Sequence, residues 1–245
     1  MLFYQNNICR IFVANHYNVR DMNCQDKKID EIGDNHIGSV HYPLREDAFD
    51  MSDDEKIEKI AGHVKAIIEL LGLDTEDDSI KGTPCRVAKM YVKEVFRGLN
   101  PENMPRMSTF ENKYKYGEML VEKNIRVFST CEHHLLPITG FAHVAYISKG
   151  RVIGLSKMNR IVDYYARRPQ VQERMTNQIA AALQDALQTD DVAVVVDAKH
   201  LCVNSRGIKD PDSSTVTAFF GGKFKDPAVR KEFLTYIELK TQHLY

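Results

Sequence analysis

The 245-residue sequence has no apolar run long enough to cross a bilayer. Its opening stretch, MLFYQNNICRIFVANHYN, is broken by Gln5, Asn6, Asn7 and Arg10 before a signal-peptide core could form. Both absences predict a cytoplasmic chain with no membrane partner. The five cysteines, Cys9, Cys24, Cys85, Cys131 and Cys202, are odd in number and widely scattered. That excludes the dense disulfide framework of a small secreted domain and predicts a reducing compartment. A formal net charge of -1 gives no sign of a nucleic-acid partner. Internal repeats and low-complexity tracts are missing too. So is any G-x-x-x-x-G-K-[ST] loop, and a bound nucleotide is therefore expected to be a substrate attacked at its base, not one held as in a P-loop enzyme.

With 43% hydrophobic residues, a chain of this length buries roughly three quarters of its unfolded surface and needs no cross-links. Residues 1–51 show no sustained period, and the first fifty carry eight acids against five bases, which predicts a flexible N-terminal extension. From Ser52 the pattern turns helical. Ile57, Ile60, Val64, Ile67, Ile68 and Leu71 are spaced for one buried face, with Gly72 as the stop. A second helix is expected with Thr83 as N-cap and Pro84 in the first turn, ending at Gly98. Arg86, Lys89, Lys93 and Arg97 form a basic stripe on it. Beyond this helical part, about 52–100, strands are expected at 124–130, 138–148, 191–203 and 214–220. Helices are expected at 158–166, from Val171 to Leu187 and from Asp226 onward. One α+β domain spanning 52–245, its catalytic part about 115–245, is the economical reading.

Cys131 and His134, in the segment CEHHLLP, have the short spacing of a metal-ligand pair, and KHLCVNSRG adds His200 and Cys202. Residues two apart on a strand share a face, so His200 and Cys202 are expected to enter one pocket. A catalytic zinc takes three protein ligands with a fourth position open. A closed four-ligand structural site, or a Cys131 to Cys202 disulfide, fits the same residues. Between Lys149 and Arg174 there are seven bases and two acids, an excess that suggests an anion site, and Arg206 brings a further guanidinium close.

Three stretches, STCEHHLLPITG, GLSKMNRIVDYYARRPQVQER and HLCVNSRGIKD, in this order and spacing, resemble GTP cyclohydrolase I, and DDSIKGTPCRVAKMYVKEVFRGL resembles that family's N-terminal helix. The resemblance implies a tunnelling fold, an antiparallel sheet backed by helices, assembled as a toroidal homodecamer with active sites between subunits. It implies one zinc per subunit on Cys131, His134 and Cys202, with His133 and His200 as acid/base groups. Glu173 is expected to grip guanine, with Gln172 beside it in the pocket. Ser156, Lys157, Arg160 and Arg206 are expected to take the triphosphate, with Arg86 and Lys89 as further contacts. The implied reaction converts GTP and water to 7,8-dihydroneopterin triphosphate and formate. The competing readings are a tunnelling-fold enzyme acting on another purine or pterin and a non-catalytic, zinc-stabilised nucleotide-binding regulatory protein.

Overall fold

Ser52 forms a capping box: its hydroxyl accepts from the Glu55 N–H, and the Glu55 carboxylate accepts from the Ser52 N–H. The computed structural model describes residues 42–240, and this cap opens α1 (Asp53–Leu70). Helix α2 (Thr83–Met90) packs beside it and continues through a π-helical turn, Tyr91–Val95. Thr83 proves to be the first helical residue instead of the cap; Gly82 precedes it without a side-chain bond. The face of α1 expected to be buried is only half covered. Ile57, Ile60, Val64 and Ile68 are half-buried, whereas Ile67 and Leu71 are 57% and 74% exposed. Among the described residues α1 lacks a second layer to close over it.

Gly98 docks this helical part onto the rest. Its N–H donates to the Arg167 carbonyl at 2.9 Å, and a Cβ there would lie 2.1 Å from the Tyr164 carbonyl oxygen, so only glycine fits. The chain then runs through β1 (Thr109–Glu111), β2 (Met119–Cys131), β3 (Pro137–Ile147), β4 (Arg151–Ile153), α3 (Leu155–Ala166), β5 (Pro169–Gln170) and α4 (Gln172–Leu187). It continues through β6 (Val192–His200), α5 (Leu201–Asn204), β7 (Thr215–Phe220) and α6 (Pro227–Glu238). Strands β1 and β4 pair as a small antiparallel ribbon. The main sheet has the order β5-β2-β3-β6-β7 and is antiparallel except where β5 runs parallel to β2. The result is the α+β sheet-and-helix arrangement expected of a tunnelling fold.

Helices α3 and α4 cover one face of the sheet, where Val192, Val194, Val196 and Ala198 meet Met158, Ile161, Met175, Ile179 and Leu183. Ala193 and Val195 point the other way, onto Phe224 and Phe233. Cover on both faces explains the unbroken run VAVVV, which an edge or one-sided strand would not carry. Each such aliphatic side chain contributes about 1.5–3 kcal/mol on burial.

Three departures from the sequence reading have local causes. Strand β2 begins at Met119 instead of Asn124, because the register shifts between Glu122 and Ile125 and Asn124 adopts φ +59°; the alternation is lost at this bulge. Strands β1, β4 and β5, two or three residues each, are too short to show a period. Strand β6 ends at His200, so Cys202 lies in the helical turn α5 and strand alternation does not relate the two.

Candidate metal centre

Strand β2 ends on Cys131, and the chain reverses through residues 132–136. The Cys131 N–H donates to the Leu136 carbonyl at 2.8 Å and the Leu135 N–H to the Cys131 carbonyl at 2.9 Å. Leu135 takes φ +52°, a left-handed conformation that a leucine resists. Pairing of Ile138 with His200 sets the end of β6 beside this turn, and pairing of Cys131 with Gln170 brings the start of α4 alongside. Three pieces far apart in sequence therefore converge.

At their meeting point the ligand atoms of Cys131, His134 and Cys202 all lie within 4.8 Å of one another. Both cysteines are free thiols, which removes the disulfide alternative. His200 is outside the group, so the four-ligand closed site is not formed either. Burial first, and the neighbouring Cys131 next, push the Cys202 thiol up to about 11. A thiol kept un-ionised by burial and a neighbouring sulfur is stabilised as the thiolate by a divalent cation. Two sulfurs and one imidazole suit zinc, with one tetrahedral position left over. The donor set therefore fits the metal.

His133 stands on the exposed side of the turn, its Nδ1 3.9 Å from Cys131 Sγ and its Nε2 3.9 Å from the Glu132 carboxylate. His200 is half-buried, and its pKa is lowered by burial and raised in part by Glu173. Its Nε2 lies 2.8 Å from Gln172 Oε1. Gln172 is 1% exposed, and its Nε2 donates to the carbonyls of Val196 at 3.1 Å and Thr215 at 2.8 Å. Its amide is thus engaged inside the fold, where its oxygen meets the imidazole of His200. Glu173, the next residue, is exposed in the first turn of α4.

Over residues 60–238 the sequence matches the model of the family described as GTP cyclohydrolase I. It is 72% identical over 215 residues to the GTP cyclohydrolase 1 of Flavobacterium johnsoniae, covering 87% of this chain and 96% of that protein. Against the GTP cyclohydrolase 1 of Vibrio cholerae the identity is 58% over 181 residues, covering 74% and 83%. The chain belongs to the GTP cyclohydrolase I family.

The basic residues divide in a way their sequence clustering hides. Arg151 donates to Thr109 Oγ1, Arg167 and Arg97 both pair with Asp163, Lys149 faces Asp191 at 3.6 Å, and Lys93 pairs with Asp53. Arg168 is buried against Tyr164 and Tyr165, and Arg174 is paired with Glu132. Much of the local excess is therefore spent on the fold. Ser156, Arg160, Arg206, Arg86 and Lys89 are exposed and Lys157 is half-buried; none of the four arginines and lysines among Arg160, Arg206, Arg86 and Lys89 forms an ion pair among the described residues, and neither does Lys157. Within one chain of this GTP cyclohydrolase I family member Lys157 and Arg160 lie away from the metal centre, whereas Arg206 follows the helical turn that carries Cys202. Asn159, beside Lys157 and Arg160, donates to Glu122, and the strand from Glu122 to Cys131 spans on the order of 25 Å.

Sequence reasoning missed the partners behind the site. Tyr42, Glu132 and Arg174 form a cluster against the turn, and Gln172 holds His200. Glu132 and Arg174 sit inside the quoted motifs, but nothing in a one-dimensional pattern pairs them.

Proposed function

We propose that this chain is a zinc-dependent hydrolase that converts GTP and water to 7,8-dihydroneopterin triphosphate and formate, with zinc on Cys131, His134 and Cys202. Membership of the GTP cyclohydrolase I family supports the reaction. The observation that carries the zinc assignment is the convergence of those three ligand atoms within 4.8 Å, with His133 and His200 beside them. When bound there, zinc supplies a Lewis acid that lowers the pKa of water from about 15.7 toward ~7.

The chain's own groups do the rest. Gln172 Oε1 accepts from His200 Nε2–H, which leaves Nδ1 as the nitrogen that exchanges a proton with the guanine ring. A proton on guanine nitrogen 7 makes carbon 8 electrophilic, and His200 is the group assigned to deliver it. His133, more exposed, moves protons during ring opening and closure. The Glu173 carboxylate accepts from the ring N–H and the exocyclic amine of guanine, a donor pair that adenine lacks.

Ser156, Lys157, Arg160 and Arg206, with Arg86 and Lys89, bind the triphosphate. The separation of Ser156, Lys157 and Arg160 from the metal centre within one chain supports a site completed by a second copy, and the exposed Ile67, Leu70, Leu71 and Leu73 on and after α1 supply apolar surface for that assembly. The family's toroidal homodecamer is the arrangement proposed. No described helix is long and apolar enough to cross a membrane.

Incubating the purified protein with GTP, with and without a chelator, and following formate and the pterin chromophore tests the reading. Chelator-sensitive formation of both products is expected; a metal-loaded protein that yields neither would refute it.

A further inference from the structure

Tyr42, the first described residue, lies in the stretch expected to be a loose extension, yet its ring rests on two guanidinium groups. The centroid is 5.5 Å from Arg174 Cζ and 5.7 Å from Arg168 Cζ. Arg168 is also held on the rings of Tyr164 at 4.5 Å and Tyr165 at 4.7 Å. Arg174 makes a two-pronged pair with Glu132, Nη1 to Oε2 at 2.6 Å and Nη2 to Oε1 at 3.2 Å. Only 5% of the Arg174 side chain and 20% of the Glu132 side chain are exposed. Burial, with the charge of Glu132 second, pushes the Tyr42 hydroxyl well above its ordinary range, and that hydroxyl makes no hydrogen bond among the described residues.

Glu132 is flanked by Cys131 and His133, in the same turn that carries His134 and the left-handed Leu135. A turn that holds a leucine at φ +52° needs anchors, and Glu132 supplies two: its N–H donates to the Gln170 carbonyl at 3.1 Å, and its carboxylate grips Arg174. An ion pair open to water holds little, because solvent screens it and both side chains stay mobile. Covered by an aromatic ring, the same pair strengthens as the local dielectric falls, and the ring face adds its attraction for the guanidinium.

We propose that Tyr42 is a positioning residue for the metal centre: its ring seals the Arg174–Glu132 pair and through it fixes the turn bearing Cys131, His133 and His134. The proposal rests on the assignment of zinc to Cys131, His134 and Cys202. It makes a piece of the N-terminal stretch part of the site's support, through the ring and not the hydroxyl.

Zinc release from the full-length, zinc-loaded protein to a chromogenic chelator tests it, alongside kcat and KM for GTP. Outer partners of metal ligands typically change metal affinity 10–100-fold. Tyr42→Ala is expected to release zinc about 10-fold faster and to lower kcat more than it raises KM, while Tyr42→Phe stays within about twofold of the parent. Glu132→Gln, which keeps the side-chain shape and removes the charge, is expected to match Tyr42→Ala. The double variant is expected to be no worse than Glu132→Gln alone, because both act through one pair. Release from Tyr42→Ala at the parental rate, equal acceleration by Tyr42→Phe, or independent effects in the double variant would each overturn the proposal while leaving the zinc assignment intact. A parent protein that takes up no zinc overturns both.

Discussion

His200 and Gln172 are joined by a 2.8 Å hydrogen bond whose direction is set by groups on its far side. The Gln172 NH2 is committed to the Val196 and Thr215 carbonyls, so its oxygen faces the imidazole, and His200 Nε2 must carry the proton. Gln172→Leu removes the acceptor and frees the ring to rotate or change tautomer. A fall in kcat of about 10–100-fold with little change in KM is expected, in line with losses seen when a histidine's orienting partner is removed. Nitrogen NMR of labelled histidine reads the tautomer directly; an unaltered His200 spectrum and full kcat in the variant would contradict the assignment.

Removal of a ligand differs in kind from removal of a support. Cys202→Ser replaces a thiolate by a hydroxyl that does not ionise near neutral pH. Zinc content after dialysis is expected to drop to a small fraction of one per chain, and turnover by more than about 10²-fold, since even outer partners cost up to that much. Metal analysis by atomic absorption on the folded variant decides it. Full zinc content would remove Cys202 from the ligand set.

Glu173 is exposed at the start of α4 and is assigned the guanine edge. Glu173→Gln turns one acceptor oxygen into a donor facing a donor. With charged hydrogen bonds worth about 1.5–3 kcal/mol each, kcat/KM for GTP is expected to fall about 100-fold. The parent's preference for GTP over ITP, which lacks the exocyclic amine, should narrow in parallel. Competition kinetics with the two nucleotides measures both; an unchanged preference would place the guanine edge elsewhere.

His143 offers a pH test away from the metal centre. Burial lowers its pKa most strongly, Lys123 lowers it further, and Asp197 opposes both. A histidine with a depressed folded pKa is bound to fewer protons in the fold than in the unfolded chain over the interval between the two values. Its contribution to stability is present above the unfolded value of ~6.5 and is lost as pH falls from there through the folded value. The thermal midpoint is expected to decline from pH 7.5 to 5, and His143→Gln should flatten that part of the decline. Parallel profiles for parent and variant would exclude His143 as the cause.

Leu70 and Leu71, each 74% exposed at the end of α1, are expected to lie in a contact between copies. The Leu70→Lys, Leu71→Lys double variant should shift the assembly to smaller species in light scattering, with the helix content of the isolated chain unchanged by circular dichroism. An assembly of parental mass would show that this surface is not part of the contact.

Most of the scaffold is written in local periodicity. Ile161 and Met158 along α3 and Ile179 and Leu183 along α4 mark their elements because burial repeats every 3.6 residues, and the unbroken VAVVV run marks β6 because both faces of that strand are covered. The Asn124 bulge and the short strands β1, β4 and β5 were illegible for the same reason, since an irregular or two-residue element has no period. Candidate chemistry was visible in CEHH and HLC as residue types, and spacing left a surplus of candidates. Tertiary structure decided which of them meet: sheet pairing of Ile138 with His200 and of Cys131 with Gln170 brings Cys202 and α4 to the Cys131 turn, excludes His200 from the ligand group, and turns Gln172 inward. It also assigned Arg167, Arg168 and Arg174 to ion pairs and aromatic stacks within the fold and left Arg160 and Arg206 exposed. A linear charge count cannot separate these, because charge is a property of the residue, while its partner is a property of the neighbour that folding supplies.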